Sequence, residues 1–241
     1  MRPHTCLYVA YGLSLGLGLL CLVFVISWNS YWRGGFSWDA SAQQFNWHPV
    51  LMVSGLVVLY GNAAVVYRLP FTWGQRKFTW KLVHAGLMLL ALVLSILGLC
   101  AVFDFHRGLQ IPDLYSLHSW VGICTVVTFA FQWVLGLAGF LLPCSPWWFR
   151  IILKPFHVWL GKAILILSLA SCISGLNEAL LLTLNGAEPY SSLPVQAKFA
   201  NFLGVLIVAF GIIVFGILSK TKWERPETDE NAYPLLGENI S

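Results

Sequence analysis

Charge is scarce in this chain. Its 241 residues hold only 14 Lys and Arg and 10 Asp and Glu, 10% of the total, where a water-soluble domain carries about 25%. With 58% hydrophobic residues and a mean hydropathy of +0.75, too little polar surface is left to coat a soluble protein. There is no long basic run, and the net charge of +4 is spread between apolar stretches, which argues against a nucleic-acid partner. No low-complexity tract is present. Disulfides are not expected: Cys6, Cys21, Cys100, Cys124, Cys144 and Cys172 all fall outside the segments expected to face an oxidising compartment, and most read as small apolar residues within helices. The N-x-Ser/Thr triplet is absent from the expected lumenal loops and occurs only at Asn239-Ile240-Ser241.

Apolar runs are what the chain does have. They cover about 7–27, 47–67, 81–103, 118–142, 155–184 and 198–219, and about 20 residues suffice to cross a bilayer as a helix. The first run is longer than the apolar region of a signal peptide and no A-x-A-like site follows it, so it reads as a membrane helix. The expected fold is all-α: a six-helix transmembrane bundle with a four-helix core, one domain over 1–241, core helices about 47–184 and a polar tail over 220–241. The intervening loops are 28–46, rich in interface aromatics such as Trp28, Trp32 and Trp38, then 68–80, 104–117, 143–154 and 185–197. Six crossings put both termini on one side. Ten Lys and Arg fall on that side, among them Arg68, Lys77, Lys81 and Arg150, against Arg33, Arg107 and Lys198 on the other. The termini are therefore expected in the cytoplasm.

Four of the six histidines, His48, His84, His118 and His157, each sit within a few residues of the start of a long apolar run. Consecutive membrane helices alternate in direction, so His48 and His118 are expected near the lumenal or extracellular face and His84 and His157 near the cytoplasmic face. A single buried histidine is ordinarily a packed, hydrogen-bonded side chain. Four at equivalent positions are different, because ionisable groups in membrane spans are costly and usually functional. Helical bundles build cofactor sites from side chains on facing helices, and histidine is a standard axial ligand of haem iron. The two pairs therefore read as ligands of two haems. Zinc fits less well, since it wants three or four protein ligands in one place. One helical turn inward lie Met52, Met88, Gly122 and Gly161, suggesting that each pair has a methionine to pack on a flat macrocycle and a glycine to leave it room.

Several stretches carry a resemblance: Phe45-Asn46-Trp47-His48-Pro49-Val50-Leu51-Met52, Tyr67-Arg68-Leu69-Pro70, Leu114-Tyr115-Ser116-Leu117-His118-Ser119-Trp120 and Lys154-Pro155-Phe156-His157-Val158. Over about 32–226 the chain resembles the cytochrome b561 family, most of all its lysosomal ferric-reducing branch, with the duodenal branch next. The resemblance implies a homodimer of six-helix subunits in membrane lipid, with two b haems per chain. It implies that cytosolic ascorbate gives an electron to the inner haem and that the outer haem passes it to Fe(III), free or chelated, or to an ascorbyl radical. By matching position, His48 with His118 and His84 with His157 are the haem ligands, and Arg68 and Lys77 lie beside the inner haem. Lys77, Lys81 and Arg150 match the cytosolic ascorbate site. His106 matches the outer substrate position, beside Asp113, Leu114, Tyr115 and Ser116, which flank the outer haem, as does Glu178. Glu224 stands where relatives carry a basic residue, which argues against a haem contact from the tail.

Two further functions compete. One is an ascorbate-regenerating shuttle that reduces lumenal monodehydroascorbate. The other is a transporter that uses the histidines as a proton relay, which needs a polar path between the faces. The apolar residues Val53, Leu56, Val126 and Val127 are expected to interrupt such a path. The location expected from the tail is the late endosome and lysosome, with the plasma membrane as the alternative. Tyr233-Pro234-Leu235-Leu236 resembles a tyrosine-based sorting signal, which an adaptor binds as an extended strand. Tyr233→Ala is expected to move the protein from lysosomal markers to the plasma membrane on immunostaining. A wild-type protein already resident at the cell surface would favour the duodenal-like reading instead.

Overall fold

The computed structural model describes residues 4–226, so the tail signal at Tyr233 and the triplet at Asn239 lie outside the described residues. The fold is all-α. Six helices are long and apolar enough to cross a membrane: α1 (Thr5–Tyr31), α2 (Ala42–Arg68), α3 (Lys77–Leu109), α4 (Leu117–Phe140), α5 (Trp147–Thr183) and α6 (Val195–Ser219). Large apolar side chains cover their outer faces, with Leu19 and Val127 each 62% exposed and Ile212 65% exposed. Such a surface suits lipid, and the helices satisfy their backbone groups internally as a bilayer requires. Val127 thus faces outward rather than lying between the histidine layers, whereas Val53, Leu56 and Val126 are buried.

Most of the helices extend beyond their apolar runs, α3 and α5 furthest. α3 begins at Lys77 and ends at Leu109, which places Asp104, His106 and Arg107 on a helix rather than in a loop. It ends at Gln110, whose left-handed φ of 55° lets the Ile111 amide return to the His106 carbonyl, a common helix stop. α5 begins at Trp147 and runs through Pro155, so Arg150 and Lys154 are helical as well. Proline interrupts one backbone hydrogen bond, yet membrane helices tolerate it where neighbours re-satisfy the freed groups. Hydropathy under-reads both ends for the same reason: a helix keeps its geometry beyond the apolar slab, where its residues turn polar.

α1 packs chiefly on α6, α2 on α3 and α4 on α5. α2 is the most buried span and also touches α1, α5 and α6. Its middle, Val53–Leu59, is a π-helix, a form that recurs at functional sites. Two residues favour it. Ser54 donates its hydroxyl to the Val50 carbonyl at 2.6 Å, competing for the acceptor of a regular helical bond. Gly55 lies so close to α3 that a Cβ there would sit 2.8 Å from the Ala91 carbonyl oxygen. Only glycine permits that approach, which brings the two helices together between the histidine layers.

Candidate functional site

At the end of the bundle away from the termini, His48 on α2 faces His118 on α4, with ring centroids 6.0 Å apart. The start of α2 is held by Asn46, which is fully buried and donates to the Arg33 and Gly35 carbonyls at 2.9 and 2.7 Å. The start of α4 is held by a capping box: Ser116 Oγ accepts from the Ser119 amide and Ser119 Oγ accepts from the Ser116 amide, each at 3.2 Å, satisfying two otherwise orphaned donors. His48 donates from Nδ1 to the Gly98 carbonyl at 3.0 Å and His118 from Nδ1 to the Ser171 carbonyl at 2.9 Å. A carbonyl can only accept, so both rings carry their proton on Nδ1 and keep Nε2 free as a ligand.

At the other end, His84 on α3 faces His157 on α5, with centroids 6.3 Å apart. His84 donates from Nδ1 to the Ala63 carbonyl at 2.9 Å. The buried Nδ1 of His157 has no hydrogen-bond partner among the described residues. The Phe140 ring meets His157 edge-on at 5.3 Å and the Tyr67 ring meets His84 at 5.7 Å.

Both pairs fit two imidazoles on one metal centre. A metal–imidazole bond of about 2 Å and about 1 Å from ring centre to nitrogen, counted twice, put the ring centres about 6 Å apart. The surroundings fit a flat group too. A cavity of about 370 Å³ is lined by His48, His118, Met52, Gly122, Ser116 and Glu178. Gly122 and Gly161 do not touch the imidazoles most closely. A Cβ on Gly175 would meet His118 Cε1 at 2.5 Å, and one on Gly136 would meet His157 Cε1 at 2.9 Å. These glycines sit on the neighbouring helix rather than one turn along the same helix, so same-helix spacing did not reveal them.

The layers between the pairs hold serine and threonine hydroxyls, but these close on their own helices. Ser95 donates to Ala91, Thr125 to Val121 and Ser168 to Ile164, each at 2.7–2.8 Å. Each hydroxyl hydrogen therefore goes to a carbonyl four residues back on the same helix, not to a neighbour in a relay. Tyr60 crosses to the Gly161 carbonyl on α5 at 2.9 Å, again ending on backbone.

At the rim of the outer cavity, His106 bonds Asp113 at 2.9 Å. Among the described residues no third His, Cys, Asp or Glu joins them. Leu114, Tyr115, Ser116 and Glu178 line the same cavity as His48. Leu114 has a left-handed φ of 55°, a strain of about 1 kcal/mol or more for a residue with a Cβ, and its carbonyl is held by the Trp120 indole at 3.0 Å.

The cations at the terminal side converge. Lys81 donates to the Phe140 carbonyl at 3.2 Å and Arg150 to the Leu142 carbonyl at 3.1 Å, both at the C-terminal end of α4, where positive charge is favoured. Lys77 and Arg150 are the charged neighbours of Lys81. Arg68 turns elsewhere: it donates to the Lys220 and Leu218 carbonyls at 2.7 and 2.8 Å and pairs with Glu224 at 3.3 Å. It therefore caps the end of α6, although Tyr67 beside it reaches His84. Two cations were overlooked in the sequence. Lys162 lies half-buried within α5, where its signal was a lone charge in an apolar run. Arg33 lines the outer cavity, where only proximity in the fold marks it.

The sequence profile of eukaryotic cytochrome b561 matches residues 47–183. The chain is 56% identical over 242 residues to the lysosomal membrane ascorbate-dependent ferrireductase of Danio rerio, covering 98% of each chain. It is 55% identical to the protein of the same name from Homo sapiens, covering 91% of each. It is 43% identical to the plasma membrane ascorbate-dependent reductase of Xenopus laevis, covering 95% of this chain and 80% of that one.

Gly175→Val is expected to push the His118 ring out of line with His48 while leaving the His84 pair alone. If each pair holds one haem, the purified variant loses roughly half its bound haem, measured by pyridine haemochrome against protein. Full haem content with an unchanged spectrum would show that Gly175 does not set this ligand.

Proposed function

The chain belongs to the eukaryotic cytochrome b561 family, and on that premise we propose that it is a transmembrane ascorbate-dependent ferric reductase of the late endosomal and lysosomal membrane. Cytosolic ascorbate is the donor and lumenal Fe(III), free or chelated, is the acceptor. Each chain, a single domain, holds two haem b, one between His48 and His118 and one between His84 and His157, and works as a homodimer in lipid. When bound, haem b supplies a one-electron couple on each side of the apolar slab.

One observation carries the reading. Two histidine pairs stand at opposite ends of the bundle, each spaced for a shared metal centre, and the hydroxyls between them close on backbone. That arrangement supports electron passage and disfavours a proton relay. The relatives' names support the donor, the acceptor and the membrane.

The residues have distinct tasks. The imidazole Nδ1–H bonds of His48, His84 and His118 fix the tautomer and leave Nε2 as the ligand nitrogen. Lys77, Lys81 and Arg150 gather positive charge where the His157 end opens to the cytosol. Ascorbate is an anion, and this charge draws it to the inner pair and orients it. Arg68 keeps α6 and the segment after it folded against α2, beside Tyr67. On the lumenal side, Asp113 orients the His106 ring, leaving Nε2 free for a ferric ion or chelate, for which imidazole is a suitable ligand.

Two measurements on purified protein test this. The wild type is expected to show a reducible b-type spectrum with two haems per chain, and His84→Ala should lose one. Lys81→Ala is expected to weaken ascorbate use by about tenfold, the worth of one charge-assisted hydrogen bond, with reduction by an uncharged donor unchanged. A colourless wild type, or equal loss with both donors, would overturn the reading.

A further inference from the structure

The cavity between His48 and His118 has one wall whose polar groups the proposed function leaves unused. It is built from the outer end of α1 and the turn after it: Trp28, Asn29 and Arg33 all line the cavity. Trp28 and Asn29 are 2% and 1% exposed. The indole nitrogen of Trp28 and the side-chain oxygen of Asn29 are buried without any hydrogen-bond partner among the described residues. Buried polar groups are nearly always bonded, and leaving one unpaired costs about 1–3 kcal/mol. Two such groups, on residues that line one cavity, point to something in that cavity.

Arg33 supplies the charge. Its guanidinium lies 5.6 Å from the centre of the Phe45 ring, and its Nε donates to Asn46 Oδ1 at 3.3 Å. Asn46 is in turn fixed by the Arg33 and Gly35 carbonyls. The side chain is therefore held in place by an aromatic ring and a buried amide. Among the described residues it forms no ion pair, although Glu178 lines the same cavity. Burial pushes its pKa down, which marks a cation partly stripped of water. A half-buried arginine with its terminal nitrogens open is suited to a carboxylate, which its planar fork binds in bidentate fashion.

We propose that Arg33, with the Trp28 indole N–H, forms a carboxylate-binding site on the outer wall of the His48–His118 cavity. Asn29 Oδ1, an acceptor, takes a hydroxyl or water beside the carboxylate. The inference rests on the reading that this cavity holds a haem. Two sources offer a carboxylate there: a propionate of that haem, or an organic-acid chelate that brings ferric iron to the lumenal face. Either would bond the same donors.

The test uses purified, haem-loaded wild type, Arg33→Gln, Arg33→Lys and Trp28→Phe. Haem content and the two midpoint potentials are measured first, then reduction of ferric citrate and of an uncharged ferric complex. If the carboxylate is the propionate, Arg33→Gln lowers the midpoint of only the haem that His118→Ala removes, because a stabilising positive charge is lost. Both ferric substrates then change alike. If it belongs to the chelate, both midpoints stay put and KM for ferric citrate rises about tenfold, with the uncharged complex unaffected. Arg33→Lys should recover part of either effect, since it restores the charge without the fork. Trp28→Phe, which removes only the N–H, should move the same readout as Arg33→Gln by less. Wild-type haem content, midpoints and ferric citrate KM in both Arg33→Gln and Trp28→Phe would overturn the proposal. A wild type without two haems would instead overturn the reading of the cavity.

Discussion

A carbonyl in the middle of a membrane helix is ordinarily committed to its own helix. Gly98, Ala63 and Ser171 nevertheless each accept an imidazole N–H from another helix, and much of the site depends on those three bonds. They tie α2 to α3 from both ends and α4 to α5. They also settle a choice that histidine otherwise leaves open: with the proton held on Nδ1, each of these three rings keeps Nε2 as its single free nitrogen. In hydrocarbon an unmade bond of this kind is costly, so the rings are held firmly. His157, whose Nδ1 has no such partner, is held by packing against Phe140 and Gly136 instead.

The same shortage of water governs the polar residues between the pairs. A hydroxyl inside a bilayer must bond to something, and the nearest acceptor is the carbonyl four residues back on its own helix. Ser95, Thr125 and Ser168 all take it. Their polarity therefore adds little continuity across the slab, and the interior separates the two ends even though it is not purely apolar. Apart from Lys162 within α5, charge sits toward the ends: Lys81 and Arg150 lie on the carbonyls at the end of α4, and Arg33 lies against an aromatic ring.

Much of this was legible in the sequence because it is periodic or positional. The helix count and the four histidines show directly: apolar length identifies a span, and a position near the start of each span assigns its side. Helix ends were read short, since α3 and α5 continue past the apolar slab that hydropathy reports. Contacts between helices were not legible at all. Gly175 and Gly136 lie far along the chain from the rings they accommodate, and Val127 turned out to face lipid although its neighbour Val126 is buried. Arg68 looked like a charge beside the inner pair, but three groups at the far end of the chain occupy its guanidinium. Arg33 read as one loop charge among few, because what marks it is the unpartnered company of Trp28 and Asn29.

The π segment in α2 makes the spacing of the chain itself a structural variable. Each residue in a regular helix turns the chain by about 100°, and the wider turn from Val53 to Leu59 absorbs part of that rotation between His48 on one side and Ala63 on the other. Losing one residue from this segment would let it relax to ordinary helix and rotate one half of α2 against the other. His48 could keep its place while the Ala63 carbonyl swung away from His84. The two ends of the membrane are thus kept in register by a residue count, and a one-residue deletion here would reach farther than most substitutions in either pair.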